Sequence, residues 1–217
     1  MGRNVPVKIS PKIVVSVAGL YTDVHRIFME YIDNSIDSAE DFFDAENNSY
    51  KKNIEINFDL VGDQIIASDN CSGISNFDKV VQSIGSSDKK KQTWTNGEFG
   101  YGVYAFMATC EKLQITSKEE SASEANSVTL LRKDFAEKDI DNISYDIKNV
   151  KFDRSSGTVI KLSGFDKKEF KSFDITKIKD EIEKHFELLL KRKGLSIKLN
   201  DTNKSLSYQC NSFDYLQ

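Results

Sequence analysis

The pattern of hydrophobic and polar positions predicts a helix followed by a β-hairpin in the first third of the chain. From about Asp23 to Ala45, apolar side chains recur at helical spacing, and Asp23 is a candidate N-cap. From Asn53 to Leu60 apolar and polar residues alternate, as they do in a strand with one buried face. Gln64–Ser68 repeats this alternation after a turn at Val61–Asp63.

Short elements of both kinds follow, and they predict an α+β fold. Residues 85–97 are polar with few apolar anchors, which predicts a loop. Strands and helices do not alternate regularly, so a doubly wound parallel fold is disfavoured. We expect a two-layer α/β sandwich, with helices on one face of a mixed, mostly antiparallel sheet. The remaining predicted helices are Phe77–Ile84, Gly102–Cys110 and Asp174–Lys191, and the remaining strands are Leu113–Ser117, Ser127–Lys133, Ile143–Lys148, Thr158–Leu162 and Leu195–Leu199.

Length and composition indicate one globular domain with a short arm. The chain has 217 residues, of which 39% are hydrophobic and 29% charged, as is ordinary for a globular protein. Both prolines, Pro6 and Pro11, lie near the beginning, so residues 1–20 are predicted to be an extended arm. The main domain is predicted over residues 21–200, and residues 201–217 would begin a following segment.

Charge and cysteine content disfavour several classes of function. The net charge of −4 disfavours a domain that binds nucleic acid by charge alone. Three scattered cysteines and two distant histidines disfavour a disulfide framework and a structural metal cluster. No apolar run approaches the roughly 20 residues of a membrane span, and no signal peptide is visible. We therefore expect no membrane contact and a cytoplasmic location, or a nuclear one in a eukaryote.

A polar stripe on the first helix is the first candidate for chemistry. Glu30, Asn34 and Asp37 are four and three residues apart and share one face of the helix. A carboxylate one turn from a carboxamide can hold a water beside a metal ion that contacts phosphates. The stripe lies opposite the apolar side, so a solvated surface is the simpler explanation when it is taken alone.

The loop Asp69–Ile74 is the second candidate, because it follows directly on a predicted strand. A buried Asp69 could accept a hydrogen bond from an exocyclic amine. Gly73 would let a planar base approach the backbone. The same composition is common in turns, and from these residues alone both interpretations stay open.

Glycine-containing segments supply two further candidates. Gly97, Gly100 and Gly102 precede an apolar helix, whose first N–H groups can bind an anion. A Rossmann turn or a Walker A loop does not fit, because no strand leads into the run and no Gly-Lys-Ser/Thr follows. A plain helix-entry turn remains an alternative. Thr158, after Gly157, is either a core hydroxyl or a contact to a purine through a water.

In this order, the four segments resemble the GHKL ATPase superfamily, which includes DNA gyrase B, the large heat-shock chaperones, histidine kinases and the MutL mismatch-repair proteins. The resemblance covers about residues 20–162 and implies the Bergerat fold, with an ATP lid at about 85–97. Ser83–Lys89 is similar to a small Gly-Ser-Lys segment that many of these ATPases carry at the edge of the lid. The segments that look like the successive family boxes are Glu30–Ala39, Asp69–Gly73, Gly97–Gly102 and Gly157–Thr158.

The resemblance implies ATP and Mg²⁺ as ligands. Glu30 would be the catalytic residue that polarises the attacking water, Asn34 would bind Mg²⁺, and Asp37 would support the adenine end. Asp69 would accept from the adenine amine, and Thr158 would complete the water network around adenine. The other implied ATP contacts are Gly73, Ile74, Gly85, Ser86, Lys89, Gly97, Phe99, Gly100, Tyr101, Gly102 and Val103.

Two features depart from the family pattern. Cys71 stands where the second box usually has glycine, and a cysteine would cost about 1 kcal/mol if the backbone there needed a positive φ. Many dimeric members also supply a lysine from a following transducer domain, and no residue before Gln217 matches it. We therefore expect the chain to be the N-terminal piece of a longer protein that resembles the MORC, chaperone or MutL branches.

Three functions fit this sequence. An ATP-hydrolysing module of a dimeric clamp is favoured, because a module that only binds needs no base at Glu30. We expect self-association on ATP binding and a DNA or protein client, contacted through regions absent from this chain. A histidine-kinase catalytic domain is disfavoured, because those kinases typically lack a glutamate one turn before the asparagine at position 34. A non-hydrolysing nucleotide sensor stays open.

Overall fold

The computed structural model describes residues 24–78, 106–137, 145–171 and 173–213, and these form the predicted α+β sandwich. The helices of this part of the chain are Val24–Ala39 (α1), Arg132–Glu137 (α2), Lys167–Lys171 (α3), Ile175–His185 (α4) and Glu187–Leu190 (α5). The strands are Phe43–Asp44 (β1), Ser49–Val61 (β2), Gln64–Asp69 (β3), Cys110–Lys118 (β4), Ala125–Leu131 (β5), Lys148–Val150 (β6), Gly157–Phe165 (β7), Lys193–Asp201 (β8) and Leu206–Gln209 (β9).

The nine strands of the described residues form one mixed sheet. Their order is β6-β5-β4-β7-β3-β2-β8-β9, and β1 also pairs with β2. Only β2 and β8 run parallel, and the other described pairs are antiparallel, as predicted. Along β2 the buried side chains alternate with exposed or partly buried ones, so one face of the strand is covered. Helix α1 contacts β2 and β3, and α4 and α5 contact β8.

Helix α1 is shorter than the sequence predicted. It ends at Ala39 and continues as one turn of 3₁₀ helix, Glu40–Phe42, so the prediction of helix to Ala45 is wrong. Phe43 instead pairs with Tyr50 of β2, and their ring centroids are 5.4 Å apart. This contact with a later part of the chain outweighs the helical spacing of the apolar residues.

Three other predicted boundaries are wrong, and strand pairing explains two of them. Cys110 begins β4, where it pairs with Phe165 of β7, and does not end a helix. The strand predicted to reach Lys133 stops at Leu131, its last residue paired with β4, and α2 follows. Within the described part of the predicted strand that ends at Lys148, only this last residue lies in a strand, as the first residue of β6.

The predicted helix Asp174–Lys191 exists but is interrupted. Asp174 is the N-cap of α4, and its carboxylate accepts from the Thr176 N–H at 3.0 Å. Phe186 separates α4 from α5 with φ −106° and ψ 21°, and its side chain is buried. Beyond the predicted domain limit at residue 200, β9 pairs with β8 as an edge strand of the same sheet.

Two observations concern the classes of function that composition disfavoured. The three cysteines, Cys71, Cys110 and Cys210, are free thiols and all are buried. None of the helices in the described ranges is long and apolar enough to cross a membrane.

An arginine cluster fixes the end of α1 against the sheet. The Arg192 guanidinium donates to the Glu40 carboxylate and, at 3.0 Å, to the Tyr50 hydroxyl. It also lies 3.8 Å from the centroid of the Phe43 ring. Because Glu40 directly follows α1 and Arg192 directly precedes β8, these contacts join the helix to the strand.

We expect Arg192→Ala to destabilise the protein by about 2 kcal/mol, because it leaves a partly buried carboxylate without its charged donor and removes a cation–π contact. Chemical denaturation followed by circular dichroism measures this change. Lys191→Ala is the matched control, since the exposed Lys191 contacts Glu187 at 3.4 Å and such surface pairs contribute less than about 1 kcal/mol. Equal losses of stability in the two variants would contradict a specific stabilising role of the Arg192 contacts.

Candidate functional site

Three polar side chains meet at one end of the sheet, on the face that the helices cover. Asp69 ends β3, Ser117 lies near the end of β4, and Thr158 lies near the start of β7. Strand β7 runs between the other two, and Ser117 and Thr158 are register partners. They share a face with the buried Ile115 and Ile160, because residues two apart in a strand point to the same side.

Asp69 is a buried carboxylate held by uncharged donors, with only 4% of the residue exposed. Its Oδ1 accepts from the N–H groups of Cys71 at 2.9 Å and Thr158 at 3.2 Å, and its Oδ2 accepts from the Ser35 hydroxyl at 2.9 Å. Burial raises the pKa of Asp69 above its ordinary value, and the hydrogen bonds oppose this rise only in part. A carboxylate has about four acceptor positions, so Oδ2 retains one for a further donor.

Ser117 connects this cluster to the loop after β3. Its hydroxyl accepts from the Ile74 N–H at 2.9 Å and donates to the Gly157 carbonyl at 3.2 Å. It also lies 2.9 Å from the Thr158 hydroxyl. Only 2% of Ser117 is exposed, so these bonds are shielded from water. The loop residue Ile74 and the strand residue Thr158 are therefore held by one side chain.

The loop itself is packed tightly on β4. Gly73 has φ +80°, and a Cβ there would come within 2.2 Å of the Lys118 carbonyl oxygen. Cys71 carries no comparable strain, because Asn48 and Ser205 are the only described non-glycine residues with positive φ. The Cys71 thiol is fully buried and donates to the Ser35 carbonyl at 3.4 Å. Cysteine thus fits at this position without the penalty considered from sequence.

The segment before β7 holds the same loop from the other side. The Arg154 guanidinium donates to the Asp69 carbonyl at 3.0 Å. The buried Ser156 hydroxyl donates to the Cys71 carbonyl at 2.7 Å. Gly157 has φ +127°, and a Cβ there would lie 2.2 Å from the Asp69 carbonyl oxygen. Asp69 is therefore fixed through its backbone as well as its side chain.

We expect Gly157→Ala to destabilise the protein by at least about 3 kcal/mol, because the new methyl group overlaps backbone atoms and the positive φ adds strain. Thermal unfolding followed by circular dichroism measures the loss. Gly62→Ala is the matched control: Gly62 has φ +62°, but nothing lies within 4 Å of the position that its Cβ would take. That variant should lose about 1 kcal/mol. A Gly157→Ala protein as stable as the control would contradict the close packing around Asp69.

Helix α1 contacts the cluster through two serines. Ser35 donates to Asp69, and the hydroxyls of Ser38 and Ser72 are 2.9 Å apart. On the opposite side of the helix, Asp33 lies 3.8 Å from His185 of α4. The two sides of α1 are therefore distinct, one towards the loop after β3 and one towards α4.

The predicted stripe Glu30, Asn34 and Asp37 lies on α1, and all three residues are partly buried. At 100° per residue, Asn34 is about 40° around the helix from Ser38, which contacts the loop. By the same geometry Glu30 and Asp37 are about 80° and about 100° around the helix from Ser38, and about 60° and about 40° from Asp33. The stripe therefore lies between the side of α1 that faces the loop and the side that faces α4. Helix α1 is joined to the loop after β3 by the contacts of Ser35 with Asp69 and of Ser38 with Ser72.

The structure brings four of the predicted residues together: Asp69, Gly73, Ile74 and Thr158. Nine others lie outside the described residues, namely Gly85, Ser86, Lys89, Gly97, Phe99, Gly100, Tyr101, Gly102 and Val103.

The sequence did not point to Ser35, Ser117, Arg154 or Ser156. A polar residue on the apolar side of α1 was an available signal for Ser35. Ser117 offered no such signal, because its role depends on the register between β4 and β7. Arg154 and Ser156 act from a segment without regular structure, which local patterns do not place.

Comparison with family models adds an independent observation. Residues 21–158 match the family described as histidine kinase-, DNA gyrase B-, and HSP90-like ATPase. No curated protein matches the chain. The match spans more than half of the 217 residues and includes α1, the loop after β3 and the first two residues of β7. The chain therefore belongs to the histidine kinase-, DNA gyrase B-, and HSP90-like ATPase family and is an ATP-binding module of the GHKL type.

Proposed function

We propose that this module hydrolyses ATP in a Mg²⁺-dependent reaction, with Glu30 as the general base. The hydrogen bond from Ser35 to Asp69 carries the proposal, because it joins the helix of Glu30 to the carboxylate proposed to hold adenine. Glu30 precedes Ser35 by five residues, which is about 7.5 Å along a helix axis. A single rigid helix can thus place Ser35 near the adenine ring and Glu30 near the phosphates of one nucleotide.

The polar atoms around Asp69 fit the adenine end of ATP. The acceptor position left on Asp69 Oδ2 suits the exocyclic amine of adenine. Thr158, whose backbone N–H already donates to Asp69, would contact adenine through a water. Gly73 and Ile74 would form one wall of the pocket, since both are fixed against β4.

Asn34 is the residue that would hold Mg²⁺. Among the described residues, no group of three or more His, Cys, Asp or Glu side chains could hold a metal ion. Mg²⁺ commonly takes one or two protein oxygens and completes its shell with phosphate and water. The carboxamide oxygen of Asn34 meets that requirement, and the bound ion would neutralise phosphate charge.

In the proposed reaction Glu30 accepts a proton from the water that attacks the γ-phosphorus. The new P–O bond forms to water while the bond to the β-phosphate oxygen breaks, so ADP and phosphate are released. General-base catalysis of this kind raises the reaction rate by about 10²- to 10⁴-fold. Asp37 would support the adenine end, and the glycines and other ATP contacts predicted between residues 85 and 103 would bind the phosphates and form the lid.

We also propose that the module gates a dimeric clamp of the MORC, chaperone or MutL type. ATP would promote self-association, and hydrolysis would reverse it. The net charge of −4 disfavours direct DNA binding by this chain, so a DNA or protein client would be bound by other regions. The arm at residues 1–20, the domain limits 21–200 and the following segment remain predictions.

Nucleotide binding and phosphate release by the wild-type chain test this function. Calorimetry with ATP, in Mg²⁺ or in EDTA, should give binding that Mg²⁺ strengthens, and steady-state phosphate release should require Mg²⁺. Sedimentation with a non-hydrolysable ATP analogue should show a larger species than the chain alone. Binding without turnover at any protein concentration would favour a nucleotide sensor, and absence of binding would reject the proposed site.

A further inference from the structure

The face of the sheet turned away from the helices carries a group of exposed lysines. Along β4, β7 and β8, buried apolar residues alternate with more exposed ones, so every second residue points to this open face. Lys148 is placed there by its register partner Ser127, whose hydroxyl lies 2.9 Å from that of Thr116. We define the lysine face by its four exposed lysines: Lys112, Lys148, Lys161 and Lys198.

The four lysines are spread across most of the sheet. A continuous row of register partners joins Lys148 on β6 to Lys198 on β8. The two ends are six strand spacings apart, which is about 29 Å. Lys161 and Lys112 belong to β7 and β4, between these ends, and are displaced to the same side of the row by about 7 and about 14 Å. The positive charges therefore extend along one surface and do not form a compact pocket.

Positive charge exceeds negative charge on the lysine face. None of its four lysines forms an ion pair with another described residue. The acidic residues of β2 on the same face are Glu55 and Asp59, and Asp59 accepts from Asn200 at 2.6 Å. At the edge of the face, Glu111 pairs with Arg132 at 3.5 Å and adds no net charge.

The negative charge of the molecule is concentrated elsewhere. The turn after β4, at the end of the sheet where Gly73 packs on Lys118, contains Glu119, Glu120 and Glu124. On the covered side of the sheet, α1 and the turn after it add Glu30, Asp33, Asp37, Glu40 and Asp41. The net charge of −4, which disfavours DNA binding by the domain as a whole, therefore does not describe the lysine face.

The composition of the lysine face fits a nucleic acid better than a protein partner. Protein interfaces have apolar, often aromatic, centres and are depleted of lysine. The apolar residues at the centre of this face, Ile66 and Val159, are only partly exposed, and the described strand positions from Lys148 across to Lys198 carry no aromatic side chain. Most of the other positions have hydroxyl or amide groups, which commonly contact phosphates. Single strands are bound largely by aromatic stacking, so a duplex is favoured.

We propose that the lysine face binds the phosphate backbone of double-stranded nucleic acid without reading its sequence. The four lysines supply the charge, and the flat polar surface between them lies against the backbone. This contact adds to the client contacts proposed for other regions. It does not depend on ATP hydrolysis, because Asp69 and α1 lie on the other face of the sheet.

The test measures the affinity of the wild-type chain for a fluorescent DNA duplex by anisotropy, without nucleotide and at several salt concentrations. About 20 base pairs suffice, since the duplex rises about 3.4 Å per pair and the face extends over about 29 Å. The logarithm of affinity should fall against the logarithm of salt concentration with a slope of about −3 to −4, or about −0.9 for each lysine. Lys112→Gln with Lys161→Gln should reduce the steepness by about 2, and so should Lys148→Gln with Lys198→Gln.

Lys177→Gln with Lys184→Gln is the matched control. Both lysines are exposed on α4, on the covered side of the sheet, so the net charge changes by the same amount while the lysine face is intact. The control should keep the wild-type slope. Equal changes of slope in the control and the lysine-face variants, or an unchanged slope in both lysine-face variants, overturn the inference. All six substitutions are at exposed positions, and circular dichroism checks that the variants fold.

Single-stranded DNA and polyglutamate test the other kinds of partner. The wild type should bind the duplex more tightly than either. Tighter binding of the single strand, or tighter binding of polyglutamate that the same lysine substitutions weaken, would overturn the assignment to a duplex. A chain that binds the duplex but not ATP would reject the proposed function and leave this inference standing, and a chain that binds ATP but not the duplex would do the reverse.

Discussion

Glu30→Ala is expected to bind ATP with nearly unchanged affinity and to hydrolyse it at least about 100-fold more slowly than the wild type. The expected size follows from the 10²- to 10⁴-fold contribution of a positioned general base. Glu30 lies on α1 one turn before Asn34, partly buried and away from the Asp69 end of the helix. Binding of adenine should therefore be retained, while the proton transfer that Glu30 carries out is lost.

Two further variants make this experiment specific for proton transfer. Glu30→Gln keeps the shape and hydrogen-bonding reach of the side chain but cannot take up a proton, so it should be as slow as Glu30→Ala. Glu46→Gln, at an exposed turn position, should behave as the wild type. Phosphate release at saturating Mg-ATP measures the rates. If Glu30→Gln hydrolysed ATP at the wild-type rate, the general base would have to be another group.

Asp69→Asn is expected to weaken ATP binding by about 10- to 100-fold, the value of a hydrogen bond to a charged acceptor. Asparagine fits the same space. Its remaining oxygen can accept from the N–H groups of Cys71 and Thr158, but its amide nitrogen then occupies the Oδ2 position. A donor would face the amine of adenine where an acceptor is required.

The control for this change is Asp59→Asn. Asp59 belongs to β2 and accepts from the Asn200 side chain at 2.6 Å, in a partly exposed position on the opposite face of the sheet. Calorimetric titration with ATP should give wild-type affinity for this variant. An Asp69→Asn protein that binds ATP as tightly as the control would remove Asp69 from the proposed site.

The same variant should have a distinctive dependence of stability on pH. Burial raises the pKa of Asp69 in the folded protein above its ordinary value of 3.8, so the folded state holds this proton more tightly than the unfolded state. The stability that the group contributes is full below its unfolded pKa and is lost as pH rises through its folded pKa. Asparagine does not titrate.

The unfolding free energy of Asp69→Asn relative to the wild type should therefore rise between acidic and neutral pH. Denaturant titrations of both proteins at several pH values measure this difference. A difference that stays constant over the whole range would contradict the raised pKa. A stable variant at neutral pH would also show that its loss of ATP binding does not arise from unfolding.

The hairpin of β2 and β3 and the loop that carries Asp69 were predictable from local patterns. The alternation in β2 and β3 arises from one covered face, and a hairpin turn separates the two strands, so the position of Asp69 at the end of β3 followed directly. The N-cap role of Asp174 was similarly local. Such features depend on residues only a few positions apart.

Features that depend on residues far apart in the chain were not predicted from the sequence. The last strand of the predicted domain, β8, runs parallel to β2, although about 130 residues separate the two strands. The end of α1 is decided by Phe43 pairing with Tyr50 and by Arg192. Ser117 became recognisable only through its register with Thr158. No local pattern carries that information.

The position of β7 in the sheet has a consequence for how the chain is assembled during synthesis. Strands β2 and β3 form one hairpin and β4 and β5 form another, and in the finished sheet β7 is the only described strand between them. Until residues 157–165 have been made, each hairpin keeps an open edge that can pair with another chain. The stretch matched by the family model ends at residue 158, after two residues of β7. The segment recognised by similarity is therefore smaller than the segment needed to close the sheet.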